Sequence, residues 1–215
     1  MANFSTTLTK KGVATWNLEY RRVENAGGGW PGTFQDVAAG VDFLRTVAQS
    51  WPLDLQRVVA VGHSSGGHLA LWAAARHRLP ASSPLYKDKP LPLRGVISLG
   101  GVPDLRSFVE YGKGVCGDRQ QRLLGGTPSE VADRYAQASP GEMPPLGVPQ
   151  QLVYGAADKA VPIDLFRAYE ETARQKGDSV RVTLLGKSGH FEMLSPQSDV
   201  WPAVENAILT AVGAQ

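Results

Sequence analysis

Gly62-His63-Ser64-Ser65-Gly66 sets a serine between two glycines in the spacing G-x-S-x-G. A bare match of this kind arises by chance in roughly 7% of chains this long, and its bland reading is an ordinary glycine-serine turn. Context raises it above that. Residues 58–61 (VVAV) read as a buried strand and residues from 66 onward (GGHLALWAAAR) as a helix rich in small side chains, so Ser64 falls on a strand-to-helix turn. A sharp turn there lifts the hydroxyl clear of the backbone, where it can attack a carbonyl carbon. The same turn leaves the N–H of Ser65 at a helix start, facing the oxyanion that such an attack creates.

Serine is a weak nucleophile at neutral pH, so this chemistry needs an imidazole to take its proton and a carboxylate to orient the imidazole. His190, in the loop GKSGHFEM, is the candidate base, and Asp158, in the loop GAADKAVP, is the candidate acid. Each follows a strand-like run, which is where loops present functional groups. The other histidines read differently: His63 and His68 as packing or supporting residues within the turn and helix, and His77 as a surface residue. Asp104 is the main rival to Asp158, while Asp164 suits the first turn of a helix.

These residues need a frame, and the chain alternates short β-rich runs with helical patterns, the sequence form of a mainly parallel sheet with helices on both faces. Strands are expected at 12–18, 58–61, 96–99, 151–154 and 180–185, the last alternating apolar with polar as an edge strand does. Helices are expected from Thr33, capped by Thr33 with Asp36 three residues on, from Gly66, over 162–176, and through Val200, Val204 and Ile208. Between Gly101 and Pro149 only short helices are expected, which leaves no room for a large lid.

The 215 residues suit one domain, 1–215. A formal net charge of +2 and basic pairs as short as Lys10-Lys11 and Arg21-Arg22 argue against nucleic acid as a partner. One cysteine, Cys116, and four scattered histidines give neither an internal disulfide nor a zinc-ligand spacing, so neither metal nor cofactor is expected. No apolar run suits a signal peptide or a membrane span, and a cytoplasmic location follows as the expectation.

The segments WNLEYRR (16–22), GGGWPGTFQDV (27–37), GHSSGGHLALW (62–72), YGAADKAVP (154–162) and SGHFEMLSP (188–196) resemble the α/β-hydrolase superfamily, specifically small bacterial esterases and kynurenine-formamidase-like hydrolases. The resemblance implies an α/β-hydrolase fold in an N-terminally minimal form, with the order serine, acid, histidine. Members normally carry an HGG-type motif that completes the oxyanion hole, and this sequence has none. The resemblance thus implies a chain that begins partway through the family's domain and lacks the strand that would lie between 12–18 and 58–61. Two expectations follow: 12–18 closes directly onto 58–61 or pairs with another chain in a homodimer, and the N–H groups of Gly28 and Gly29 substitute for the missing oxyanion donors. The implied activity is hydrolysis of small short-acyl esters through an acyl-enzyme. Amide or formamide hydrolysis by the same residues, or a weakly active binding protein without a complete oxyanion hole, are the alternatives.

Overall fold

A computed structural model describes residues 2–214. In chain order it runs α1 (Ala2–Thr9), α2 (Gly32–Asp42), the short α3 (Leu44–Val47), β1 (Val59–His63), α4 (Ser65–Ala75), β2 (Gly95–Leu99), α5 (Leu105–Cys116), α6 (Arg119–Leu124), α7 (Ala132–Ala138), β3 (Gln150–Gly155), α8 (Ile163–Gln175), β4 (Val180–Leu185) and α9 (Trp201–Val212). The four strands form one parallel sheet in the order β1-β2-β3-β4. Parallel neighbours require a crossover between strands, and the helices supply it while covering both faces.

Strand periodicity sorts the core into two layers. Val96, Leu152 and Tyr154 face α2, α4 and α8, where Phe34, Val37, Trp72, Phe166 and Tyr169 are buried with them. Ile97, Leu99 and Val153 face the other way and meet Phe4 and Leu8 of α1 and Trp201, Val204 and Ile208 of α9. Helix α4 is buried nearly all round, consistent with its alanine-rich sequence and its place directly on β1 and β2. The expected edge strand is found at β4. Among the described residues no helix is long and apolar enough to cross a membrane.

Three expectations need correction. Residues 12–18 are not a strand, and no backbone hydrogen bond joins them to β1, so direct closure onto 58–61 does not occur among the described residues. The segment instead lies on α2 and the residue that follows it. Trp16 Nε1 donates to the Gly40 carbonyl at 3.0 Å, its ring stacks on Phe43, and Leu18 fills the space left by the missing side chain of Gly40. Thr33 does not cap α2, which starts one residue earlier at Gly32; its hydroxyl donates to the Arg21 carbonyl and accepts from Gly29 N–H, while Asp36 takes a two-pronged ion pair from Arg21. Between Gly101 and Pro149, α5 runs for 12 residues, longer than expected there.

Candidate active site

Ser64 sits between the end of β1 and the start of α4 with φ 54° and ψ −120°, a sparsely populated conformation that costs on the order of 1–3 kcal/mol for a residue other than glycine. The surrounding glycines make the turn possible. A Cβ at Gly62 would lie 2.0 Å from the Gly66 carbonyl oxygen, and one at Gly67 would meet Ser98 Oγ at 2.8 Å and Gly101 Cα at 2.9 Å. Gly66, by contrast, has open space where its Cβ would be. The close approach of α4 to the sheet therefore depends on Gly62 and Gly67 more than on the second glycine of the motif.

The other candidates converge on the same end of the sheet. Asp158 lies in the turn after β3 and His190 in the loop after β4, and His190 Nδ1 is 2.7 Å from Asp158 Oδ2. The Asp158 side chain is 1% exposed, and its other oxygen accepts from Ala160 N–H at 2.7 Å and Val161 N–H at 3.1 Å. A buried carboxylate so held presents one fixed acceptor to Nδ1, which places the proton there and leaves Nε2 as the free base. Ser64 Oγ makes no hydrogen bond with another described residue. Serine-imidazole contacts are often loose before substrate arrives.

Asp104, the rival acid, is occupied elsewhere: it caps α5 by accepting from Arg106 N–H and also receives the hydroxyls of Ser107 and Ser139. Asp164 occupies the first turn of α8, as expected. His68 is 2% exposed on α4, with Nδ1 3.0 Å from the Val102 carbonyl, and burial pushes its pKa down to about 4. It is a neutral packing residue. His77 is exposed.

The oxyanion donors divide. Ser65 is the first residue of α4, so its N–H has no carbonyl one turn back in the helix to accept it and points out at the positive end of the helix dipole. The substitute donors fail: Gly28 N–H donates to the Asn25 carbonyl at 2.9 Å and Gly29 N–H to Thr33 Oγ1 at 2.9 Å. Both are spent inside their own loop. A Cβ at Gly28 would lie 1.8 Å from the Arg22 carbonyl oxygen, so that glycine is there for tight packing.

Two further glycines shape the site. Gly100, directly after β2 with φ 54°, lies beneath the His190–Asp158 pair: a Cβ there would stand 3.2 Å from His190 Nδ1 and 3.4 Å from Asp158 Oδ2. Gly155 ends β3, and a Cβ on it would lie 2.2–2.3 Å from the carbonyl oxygens of Gly189 and Ser188. It lets the His190 loop cross the strand end. Gly155 falls within YGAADKAVP, where the resemblance gives it no role, and Gly100 lies outside every segment that carries the resemblance; the signal available was a glycine at the carboxyl end of a parallel strand. Beside them Phe191 is 69% exposed, its ring 5.0 Å from that of His190. Among the described residues no group of three or more His, Cys, Asp or Glu is placed to hold a metal ion.

The chain matches the BD-FAE family over residues 1–190. Its fold is shared with the carboxylesterase Cest-2923 from Lactobacillus plantarum WCFS1 (TM-score 0.76, 19% identity, 99% of this chain and 79% of that one). It is shared also with an acetyl ester-xyloside bifunctional hydrolase from Caldicellulosiruptor lactoaceticus (TM-score 0.75, 18% identity, 99% and 76%). A third likeness is to a thermophilic esterase from Thermogutta terrifontis in its propionate-bound form (TM-score 0.68, 20% identity, 91% and 71%). No curated protein matches significantly in sequence.

Proposed function

The chain belongs to the BD-FAE family, and from that premise we propose that it is a carboxylesterase-type hydrolase acting on small short-acyl esters through an acyl-enzyme at Ser64. The observation that carries this reading is the 2.7 Å His190–Asp158 pair at the same sheet end as a serine held at φ 54°. A strained serine and a carboxylate-oriented imidazole at one end of the sheet are costly to maintain for packing alone. The esterase neighbours supply the fold on which this chemistry runs.

In this mechanism Ser64 Oγ attacks the ester carbonyl as His190 Nε2 takes its proton. Asp158 keeps the opposite proton on Nδ1 and stabilises the imidazolium that forms. The negative charge on the carbonyl oxygen is met by Ser65 N–H and the α4 dipole. Collapse of the tetrahedral adduct expels the alcohol with the proton from His190. Water, deprotonated by His190, then attacks the acyl-Ser64 ester, and as the acyl–Oγ bond breaks His190 returns that proton to Ser64 Oγ and the acid leaves. With Gly28 and Gly29 engaged in their own loop, the oxyanion has one identified donor.

The test is hydrolysis of p-nitrophenyl acetate and butyrate by the 215-residue chain, with Ser64→Ala as control. Turnover lost in Ser64→Ala supports the reading. Turnover that survives in Ser64→Ala, or its absence from folded protein, rejects it. Faster hydrolysis of N-formylkynurenine than of the esters would move the assignment to formamides with the same residues.

A further inference from the structure

The proposed base and nucleophile come from opposite edges of the sheet. Ser64 leaves β1 and His190 leaves the loop after β4, strands at opposite edges of the order β1-β2-β3-β4. Three inter-strand spacings separate them, about 14 Å. The His190 loop is anchored to β3 and its turn, through Ala157 N–H donating to the Ser188 carbonyl and through Asp158 on the imidazole itself. Toward β1 it has one hydrogen bond among the described residues. His63 Nε2 lies 2.7 Å from the backbone carbonyl oxygen of His190. A carbonyl only accepts, so Nε2 carries the proton and donates. The two imidazole rings also pack, with centroids 4.5 Å apart, and Phe191 lies 5.5 Å from the His63 ring. Burial lowers the His63 pKa, partly offset by the bond to the His190 carbonyl and by the Asp158 charge, while the charge of His190 lowers it further.

We infer that His63 is a positioning residue for catalysis: its Nε2–H tethers the His190 main chain to the strand that bears Ser64 and so sets the reach of the base toward the nucleophile. This rests on the proposed serine-hydrolase reading. The motif position before the serine then has a job that its spacing alone does not reveal. The tether acts on the step in which His190 moves a proton, so its loss lowers kcat and leaves KM near its original value.

The experiment compares wild type with His63→Phe, which keeps an aromatic ring and loses the donor, and His63→Gln, whose Nε2 sits at a similar reach and restores it. Labelling of wild type by a fluorophosphonate and ester turnover are measured first, then kcat and KM for each variant. The expected result is a kcat about 10- to 100-fold lower in His63→Phe at unchanged KM, since displacements on the ångström scale cost up to about 10², and recovery to within a few-fold in His63→Gln. Equal kcat in wild type and His63→Phe overturns the inference while leaving the esterase reading intact. If wild type neither labels nor turns over, the esterase reading is what fails, and amide hydrogen exchange of residues 188–191 decides the tether. Faster exchange in His63→Phe but not in His63→Gln supports it, and no change overturns it.

Discussion

Adding a single methyl group at Gly100 tests the geometry beneath the base. The Cβ of Gly100→Ala would stand 3.2 Å from His190 Nδ1, 3.3 Å from Cε1 and 3.4 Å from Asp158 Oδ2. Carbon contacts relax at about 3.5–4.0 Å, so the imidazole has to retreat by roughly 0.3–0.8 Å. If a 1 Å displacement of a catalytic group costs about 10² in rate, half of that costs about tenfold in kcat. The substitution touches no group assigned to substrate binding, so KM should hold. The backbone responds separately. Gly100 has φ 54°, and a non-glycine residue in the left-handed region costs roughly 1–2 kcal/mol, which for a domain of this size is about 2–8 °C in Tm. Steady-state kinetics with a short-chain ester and a thermal melt read the two effects independently. A Gly100→Ala protein with lowered Tm but kcat within twofold of wild type would refute the claim that the ring resting on Gly100 is the working base.

Other perturbations follow from the same coordinates. Asp158→Asn should lower kcat on the order of 10⁴-fold, because the wrong His190 tautomer is favoured, whereas Asp104→Ala should leave kcat unchanged and cost about 1 kcal/mol of stability as a lost helix cap; equal losses of kcat in both would misassign the acid. Arg76 is 3% exposed and pairs with Asp42, whose carboxyl is pushed up by burial but held below its ordinary range by the Arg76 bonds, the Leu91 N–H and the charges of Arg76 and Arg45. Removing the arginine in Arg76→Ala leaves the half-buried Asp42 carboxylate with only Leu91 N–H and the exposed Arg45, and should cost about 2–3 kcal/mol in urea unfolding as lost charge-assisted hydrogen bonds. His68 has its folded pKa lowered by burial from 6.5 to about 4. The unfolded chain therefore takes up a proton that the folded chain refuses, and stability should be full above pH 6.5 and fall as the pH drops from there toward 4. The loss at pH 5 is on the order of 2 kcal/mol. His68→Asn, which keeps a donor for the Val102 carbonyl, should flatten that slope, and an unchanged slope would assign it to other groups.

The strands at 59–63, 95–99 and 150–155 were legible because a short apolar run flanked by turn residues has few other uses in a chain this size, and the one at 180–185 because it alternates apolar with polar as an edge strand does. The convergence of Ser64, Asp158 and His190 on one end of the sheet was legible because each lies just past such a run. Residues 12–18 misled for a physical reason: Trp16 and Leu18 rest against Phe43 and Gly40 while most of the segment stays exposed, so its β-rich sequence makes side-chain contacts with α2 and its flank rather than a ladder. Gly28 and Gly29 misled because a glycine-rich loop is read equally well as a row of free N–H donors and as a tight turn that consumes them. Only the positions of Asn25 and Thr33 tell the two apart. Gly100, Gly155 and the His63 tether depend on which strand ends meet, and that is set by the strand order rather than by local sequence.

The claim on which the account turns is that Ser64 is an activated nucleophile. Incubating the folded protein with a fluorophosphonate and mapping the adduct by peptide mass spectrometry tests it without assuming a substrate. The expected result is one adduct per chain, on Ser64, absent in Ser64→Ala and much slower to form in His190→Ala. Folded protein that stays unlabelled, or that carries its label on another residue, would contradict the account.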